Sequence, residues 1–248
     1  ITVKRVGCVG MCHQTPLLEV LAPGAAPAFY AQVRAEDAEA IVRRHFEPKG
    51  VLRKARAVVS RTLDRLLTDQ AWTPPERFAL DTEAQPVTAF LGPQRQIATE
   101  RRGQLDPLDI DEYRRGGGFE ALDRCVTAMQ PDAVIEVVAR SGLRGRGGAG
   151  FPTGAKWRLV RDAPGERKYI VCNGDEGDPG AFMDRMLLES YPYRVIEGMT
   201  IAAFAAGARE GYLYIRAEYP LAVERVRAAL ERCREQGLLG ERILGSEV

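Results

Sequence analysis

Long apolar runs are missing from this sequence, and nothing in it approaches the ~18 consecutive apolar residues that argue for a membrane span. An excess of one charge is missing too. With 35 Lys and Arg against 34 Asp and Glu, the formal net charge is +1, so no overall field steers the molecule toward nucleic acid or an anionic membrane. The opening residues, I-T-V-K-R-V-G-C, lack the charged, apolar and small-residue zones of a secretory signal. Cysteine is scarce and odd in number, with five in the chain. A complete intramolecular disulfide set is thereby excluded, and a reducing, cytoplasmic setting is expected. No G-K-S/T follows a glycine loop, which excludes a P-loop. There is no internal repeat and no low-complexity tract. There is also no initiating methionine, and the chain is expected to be incomplete at both ends.

Glycine is what the sequence has in excess: 25 of 248 residues, against a background of about 7%. The surplus is concentrated in a few turns. Elsewhere the balance of 45% hydrophobic and 28% charged residues suits one large soluble domain or two modest ones.

The pattern along the chain predicts a small ββα unit over residues 1–48. It has strands at Thr2–Val6 and Leu17–Val20, and a helix carrying Ala38, Ile41, Val42, His45 and Phe46, with Asp37 as its N-cap. Val51 to Leu67 form an amphipathic stripe, and residues 73–104 read as a linker, so 49–104 is a helix and linker segment. From Leu105 to Val248 helices and strands alternate. Helices are expected at 109–115, 119–129 and 132–140, then a short one through Trp157. A buried strand at Lys168–Cys172 follows, then a long helix containing Ile196 and Phe204, a strand at Tyr212–Ile215 and a helix begun by Pro220. Such alternation is the mark of an α/β layer fold, which binds ligands at the carboxyl ends of its strands.

Two turns in this region carry chemistry. Residues 145–154, G-R-G-G-A-G-F-P-T-G, are half glycine. Without Cβ atoms the backbone can adopt positive φ, and a flat or phosphorylated ligand can approach it. Successive bare N–H groups make an anion nest, and Lys156, just inside the next helix, could reach a phosphate or a ring carbonyl. A helix precedes the turn, so it does not follow the strand–G-x-G-x-x-G–helix arrangement of an ordinary dinucleotide site. A flexible linker or an RGG-like RNA patch is the plainer reading, but neither calls for the rigid Phe151-Pro152 pair. Residues 173–180, N-G-D-E-G-D-P-G, place three carboxylates within four positions directly after an apolar strand. The EF-hand spacing fails. An asparagine and carboxylates there can accept from ribityl hydroxyls and from a carboxamide NH₂.

Together, G-L-R-G-R-G-G-A-G-F-P-T-G-A-K-W and V-C-N-G-D-E-G-D-P-G-A-F-M-D-R resemble the NADH-binding flavoprotein subunit of respiratory complex I. The second motif is closer to relatives in NAD-linked hydrogenases and formate dehydrogenases, because Gly177 and Asp178 stand where complex I usually has another small or polar residue and a glutamate. The resemblance covers residues 105–248 and implies a Rossmann-like domain binding FMN and NAD(H). By position, Gly145, Arg146, Gly147, Ala149 and Lys156 would line FMN, with Asn173, Asp175 and Gly177 on its ribityl and ring side. The nicotinamide nucleotide would lie against Gly148, Gly150 and Phe151. Asp178 would meet its carboxamide, supported by Glu176, and these two are the candidate catalytic carboxylates. Hydride would pass between nicotinamide C4 and flavin N5.

C-V-G-M-C at Cys8–Cys12 has ligand-type spacing, and it resembles the second cysteine pair of the thioredoxin-like 2Fe–2S domain often fused ahead of such flavoproteins. The resemblance implies that residues 1–48 are part of that domain, with Cys8 and Cys12 as metal ligands and the other pair upstream of Ile1. A zinc half-site using His13 and a turn without metal remain open. Cys125, Cys172 and Cys233 read as packing residues. The family continues beyond the point reached at Val248 with a second glycine loop and a 4Fe–4S domain. The expected function is the diaphorase module of a multi-subunit enzyme. It would exchange hydride with NADH/NAD⁺ and pass electrons to iron–sulfur subunits and a formate dehydrogenase or hydrogenase catalytic subunit, with no nucleic acid partner and no membrane span. A complex I subunit and a non-catalytic scaffold subunit are the alternatives.

Overall fold

A computed structural model describes residues 1–7, 15–25, 27–46, 93–101 and 103–246. The chain divides into two compact units, Met11–Gln96 and Ile1–Gly10 with Ile97–Val248. Cys8, Cys12 and His13, the stripe from Val51 to Leu67 and most of the expected linker lie outside the described residues.

In the Met11–Gln96 unit, β1 (Leu18–Val20) pairs antiparallel with β2 (Ala28–Tyr30), Leu18 opposite Tyr30 and Val20 opposite Ala28. A 3-10 turn at Ala35–Asp37 leads into α1 (Ala38–His45), whose buried Ile41 packs with Val20 and Tyr30. The Tyr30 hydroxyl lies 2.6 Å from His45 Nε2, and burial, aided by the charge of Arg44, pulls that imidazole below its ordinary pKa. Two expectations change here. No strand forms at Thr2–Val6: Lys4 instead donates to the Gln104 carbonyl at 2.7 Å and pairs with Glu112, within the other unit. The partner of β1 is β2, whose three residues are too short a run for alternation to announce it. Asp37 does stand at the N-cap of α1, but its Oδ2 accepts the Arg34 N–H at 2.8 Å, so it closes the preceding turn and leaves the helix uncapped.

The second unit orders α2 (Ile110–Arg115), α3 (Glu120–Ala128), α4 (Pro131–Arg140), α5 (Thr153–Asp162), β3 (Tyr169–Gly174), α6 (Met183–Ser190), α7 (Pro192–Ala206), β4 (Glu210–Ile215) and α8 (Pro220–Glu235). Pro131, Pro192 and Pro220 each open a helix, where the missing N–H has no intrahelical use. The long helix expected after the acidic turn is two helices. Pro192 cannot continue a hydrogen-bond ladder and pushes the residue before it out of the α region, and Tyr191 sits at φ −136, ψ 45.

Helix α7 is central and packs on α3, α4, α5, α8 and both strands. Around it lie three apolar clusters, centred on Leu122, Tyr193 and Cys233; on Cys125, Ile135 and Ala205; and on Leu188, Ala222 and Val226. Cys125 and Cys233 are thus core residues, as expected. Glu197 of α7 is buried among them and accepts from the Tyr113 hydroxyl at 2.6 Å and the N–H groups of Phe119 at 3.0 Å and Leu122 at 3.3 Å. It caps the start of α3 from another helix, which satisfies donors that would otherwise be orphaned in the core.

Strands β3 and β4 pair in parallel, from Tyr169 opposite Glu210 to Gly174 opposite Ile215. Leu213 and Ile215 face the Leu188 cluster. The alternate positions point outward, with Tyr169, Val171, Tyr212 and Tyr214 between 44% and 62% exposed. The strand expected to be buried is therefore covered on one face only. No helix among the described residues is long and apolar enough to cross a membrane.

Candidate functional site

The glycine-rich turn is a closed loop. Arg144 and Pro152 form an antiparallel bridge. Gly145 N–H donates to the Phe151 carbonyl at 2.8 Å, and Thr153 N–H donates to that of Leu143 at 2.9 Å. Arg144 Nε closes the mouth by donating to the Gly150 carbonyl at 2.6 Å. Gly148 and Gly150 have φ of +95° and +61°, a region that L side chains enter only at a cost. Residues 146–149 form the exposed tip. A Cβ built on Gly147 or Gly148 would meet nothing within 4 Å. The loop thus offers bare backbone to open space, which fits approach by a flat ring or a phosphate. Gly154 differs: a Cβ there would lie 2.7 Å from Ala139, so this glycine lets α5 pack against α4. Phe151 is exposed, as are Arg146, Ala149 and Lys156.

The acidic turn begins where β3 ends. Asn173 Oδ1 accepts the Asp175 N–H at 3.0 Å. Gly174 sits against Leu188, where a Cβ would come within 2.7 Å of the leucine side chain. Glu176 turns inward: its carboxylate accepts the N–H of Asp184 at 3.1 Å and of Arg185 at 3.2 Å, capping α6. Its backbone carbonyl accepts from Arg216 Nη1 at 2.5 Å and from the Tyr219 hydroxyl at 3.1 Å. Asp175 lies 3.8 Å from Arg216 Nε. Burial, then the neighbouring Glu176, raises Asp184 above the usual carboxylate range. Burial, then Asp184, raises the half-buried Cys172 thiol, which therefore stays protonated at neutral pH.

These partners sort the candidates. Glu176 is occupied by helix capping, and Asn173 shares its side-chain oxygen with the turn. Arg146, Lys156 and Asp178 have exposed side chains without a hydrogen-bond or ion-pair partner among the described residues, and no such contact joins one turn to the other. Two residues that sequence reasoning passes over, Arg216 and Tyr219, hold the acidic turn. The signal for them is the parallel pairing itself: Gly174 opposite Ile215 brings Arg216 beside Asp175. A concavity of about 330 Å³ beside Tyr113, Arg194 and Glu197 involves neither turn. No group of three or more metal-ligating side chains occurs among the described residues.

Residues 138–245 match the family described as the Nuo51 FMN-binding domain, a span that contains both turns. Among curated proteins, the chain is 53% identical over 153 residues to HndC, a subunit of the NADP-reducing hydrogenase of Solidesulfovibrio fructosivorans, covering 62% of this chain and 31% of that one. It is 48% identical over 137 residues to a component of the NADH-quinone oxidoreductase of Rhizobium meliloti (strain 1021), covering 55% and 32%. It is 52% identical over 124 residues to the alpha chain of the NAD-reducing hydrogenase HoxS of Cupriavidus necator, covering 50% and 20%. The chain therefore spans about a third or less of the length of these relatives.

Proposed function

We propose, from the match of residues 138–245 to the Nuo51 FMN-binding domain family, that this chain is part of a diaphorase: it holds FMN on the glycine-rich turn and orients NAD(H) against it. The observation that carries this reading is the pairing of bare, open backbone at Gly147 and Gly148 with unengaged polar groups at Arg146, Lys156 and Asp178.

In this reading Gly145, Arg146, Gly147, Ala149 and Lys156 hold the flavin, the lysine and the bare N–H groups meeting negative charge. Asn173, Asp175 and Gly177 lie toward its ribityl chain. Gly148, Gly150 and Phe151 form the nicotinamide's seat. Asp178 accepts from the carboxamide NH₂ and so fixes which ring face is presented. Glu176 supports Asp178 by anchoring the turn. FMN, when bound, supplies a centre that accepts two electrons as hydride and releases them singly. The protein contributes orientation, and no side chain need act as acid or base.

The surrounding domain is Rossmann-like in this reading, and residues 1–48 are part of a thioredoxin-like unit whose Cys8 and Cys12 supply two thiolates to a 2Fe–2S cluster. The setting is cytoplasmic, and the partners are iron–sulfur subunits with a hydrogenase or formate dehydrogenase catalytic subunit. The hydrogenase relatives favour the former. A complex I subunit is the second reading, favoured by the NADH-quinone oxidoreductase relative. Purified full-length protein should release one FMN per chain on denaturation. Absence of any flavin, even after reconstitution, would contradict the proposal.

A further inference from the structure

We infer that Arg216 is a positioning residue for this site, holding the acidic turn in the shape that presents Asp175 and Asp178. The inference rests on the reading above. Its guanidinium makes three engagements in different directions: Nη1 to the Glu176 carbonyl at 2.5 Å, Nη2 to Glu218 at 2.9 Å and Nε facing Asp175 at 3.8 Å. It also lies 5.7 Å from the centre of the Tyr219 ring, and the Tyr219 hydroxyl donates to the same Glu176 carbonyl at 3.1 Å. Two donors on one carbonyl fix the 176–177 peptide plane.

The Glu176 side chain is meanwhile tied to the first turn of α6. The turn is held through the carbonyl by the loop that follows β4, and through the carboxylate by α6. Gly177, with only Arg216 at 4.0 Å from a built Cβ, then swings the chain outward to Asp178. Three carboxylates in four positions repel one another. A cation beside Asp175 offsets that repulsion, and a planar fork sets direction as well, which a lysine ammonium cannot do from one point.

The test uses the full-length protein with Arg216→Lys, Arg216→Met and Tyr219→Phe. Amide hydrogen exchange over residues 175–181 reads positioning without any cofactor, and should rise about tenfold in both Arg216 variants and less in Tyr219→Phe. With flavin, both Arg216 variants should raise the FMN dissociation constant and the NADH KM about tenfold, with kcat changed much less. Lysine should fail to rescue. Unchanged exchange in Arg216→Met, or full rescue by Arg216→Lys, would overturn the inference. Wild-type protein that takes up no FMN while exchange still rises in the variants would overturn the site reading alone. Should Arg216→Met not fold, Arg216→Lys and Tyr219→Phe carry the same decision.

Discussion

The Glu176 carboxylate accepts the backbone N–H of Asp184 at 3.1 Å, so a residue of the acidic turn caps the helix that follows it. Glu176 and Asp178, only two positions apart, therefore have different surroundings, the first on a helix start and the second exposed. Glu176→Ala should destabilise the protein by about 1 kcal/mol, the usual effect of losing a cap. Asp178→Ala should leave stability unchanged and raise the NADH KM about tenfold, the loss expected for one charge-assisted hydrogen bond. Denaturant midpoints beside steady-state kinetics check both. Equal effects of the two substitutions on KM would remove the distinction.

The same contrast holds for glycines. A side chain on Gly147 enters open space, whereas one on Gly154 strikes Ala139. Gly147→Val should keep the wild-type melting curve and weaken FMN binding severely, because the ligand would fill the space the side chain takes. Gly154→Val should lower the melting temperature, since overpacking costs ~1–3 kcal/mol. Circular dichroism melts beside FMN titrations decide the matter. A collapsed melt for Gly147→Val would make that loop architectural.

Much of the second unit is legible in the sequence. Periodicity and opening prolines place α2 to α5, β3, β4 and α8, because those signals are local. The break at Tyr191-Pro192 is equally local, but apolar residues run through it and mask it. What cannot be read depends on pairing. Exposure of Tyr169 and Val171 is set by which sheet face the helices cover, and Arg216 reaches the acidic turn only because β4 lies beside β3. Glu176 matches its neighbours in composition, and only the path of α6 separates its surroundings from those of Asp178.

Burial pushes the Cys233 thiol up to about 12 and the Tyr193 phenol up to about 12. Folded-state values raised in this way give stability that is complete below the unfolded values, near 9 for the thiol and 10 for the phenol. It is lost as pH climbs toward 12. In that window the unfolded chain holds fewer protons, so each group lowers unfolding free energy by roughly 1.4 kcal/mol per pH unit. Urea midpoints should be flat from pH 7.5 to 8.5 and fall above pH 9. Cys233→Ala should lessen the slope between pH 9 and 10 without abolishing it, because burial raises Cys125 and Cys172 in the same direction. An unchanged slope would show that Cys233 is not the group responsible.

For Cys8 and Cys12 the expectation is spectroscopic. In the full-length protein, replacing both with serine should abolish the electron paramagnetic resonance signal of a reduced 2Fe–2S cluster and leave FMN content intact. A surviving signal of that cluster would show that these thiols are not its ligands.

If this chain brings nicotinamide and flavin together for hydride exchange, anaerobic rapid mixing of flavin-loaded, full-length protein with NADH should show the flavin being reduced. Oxidised flavin absorbance should bleach within a turnover in the wild type, the NADH concentration needed should rise about tenfold in Asp178→Ala, and an added oxidant should restore the colour. Flavin that stays oxidised under excess NADH would contradict that exchange.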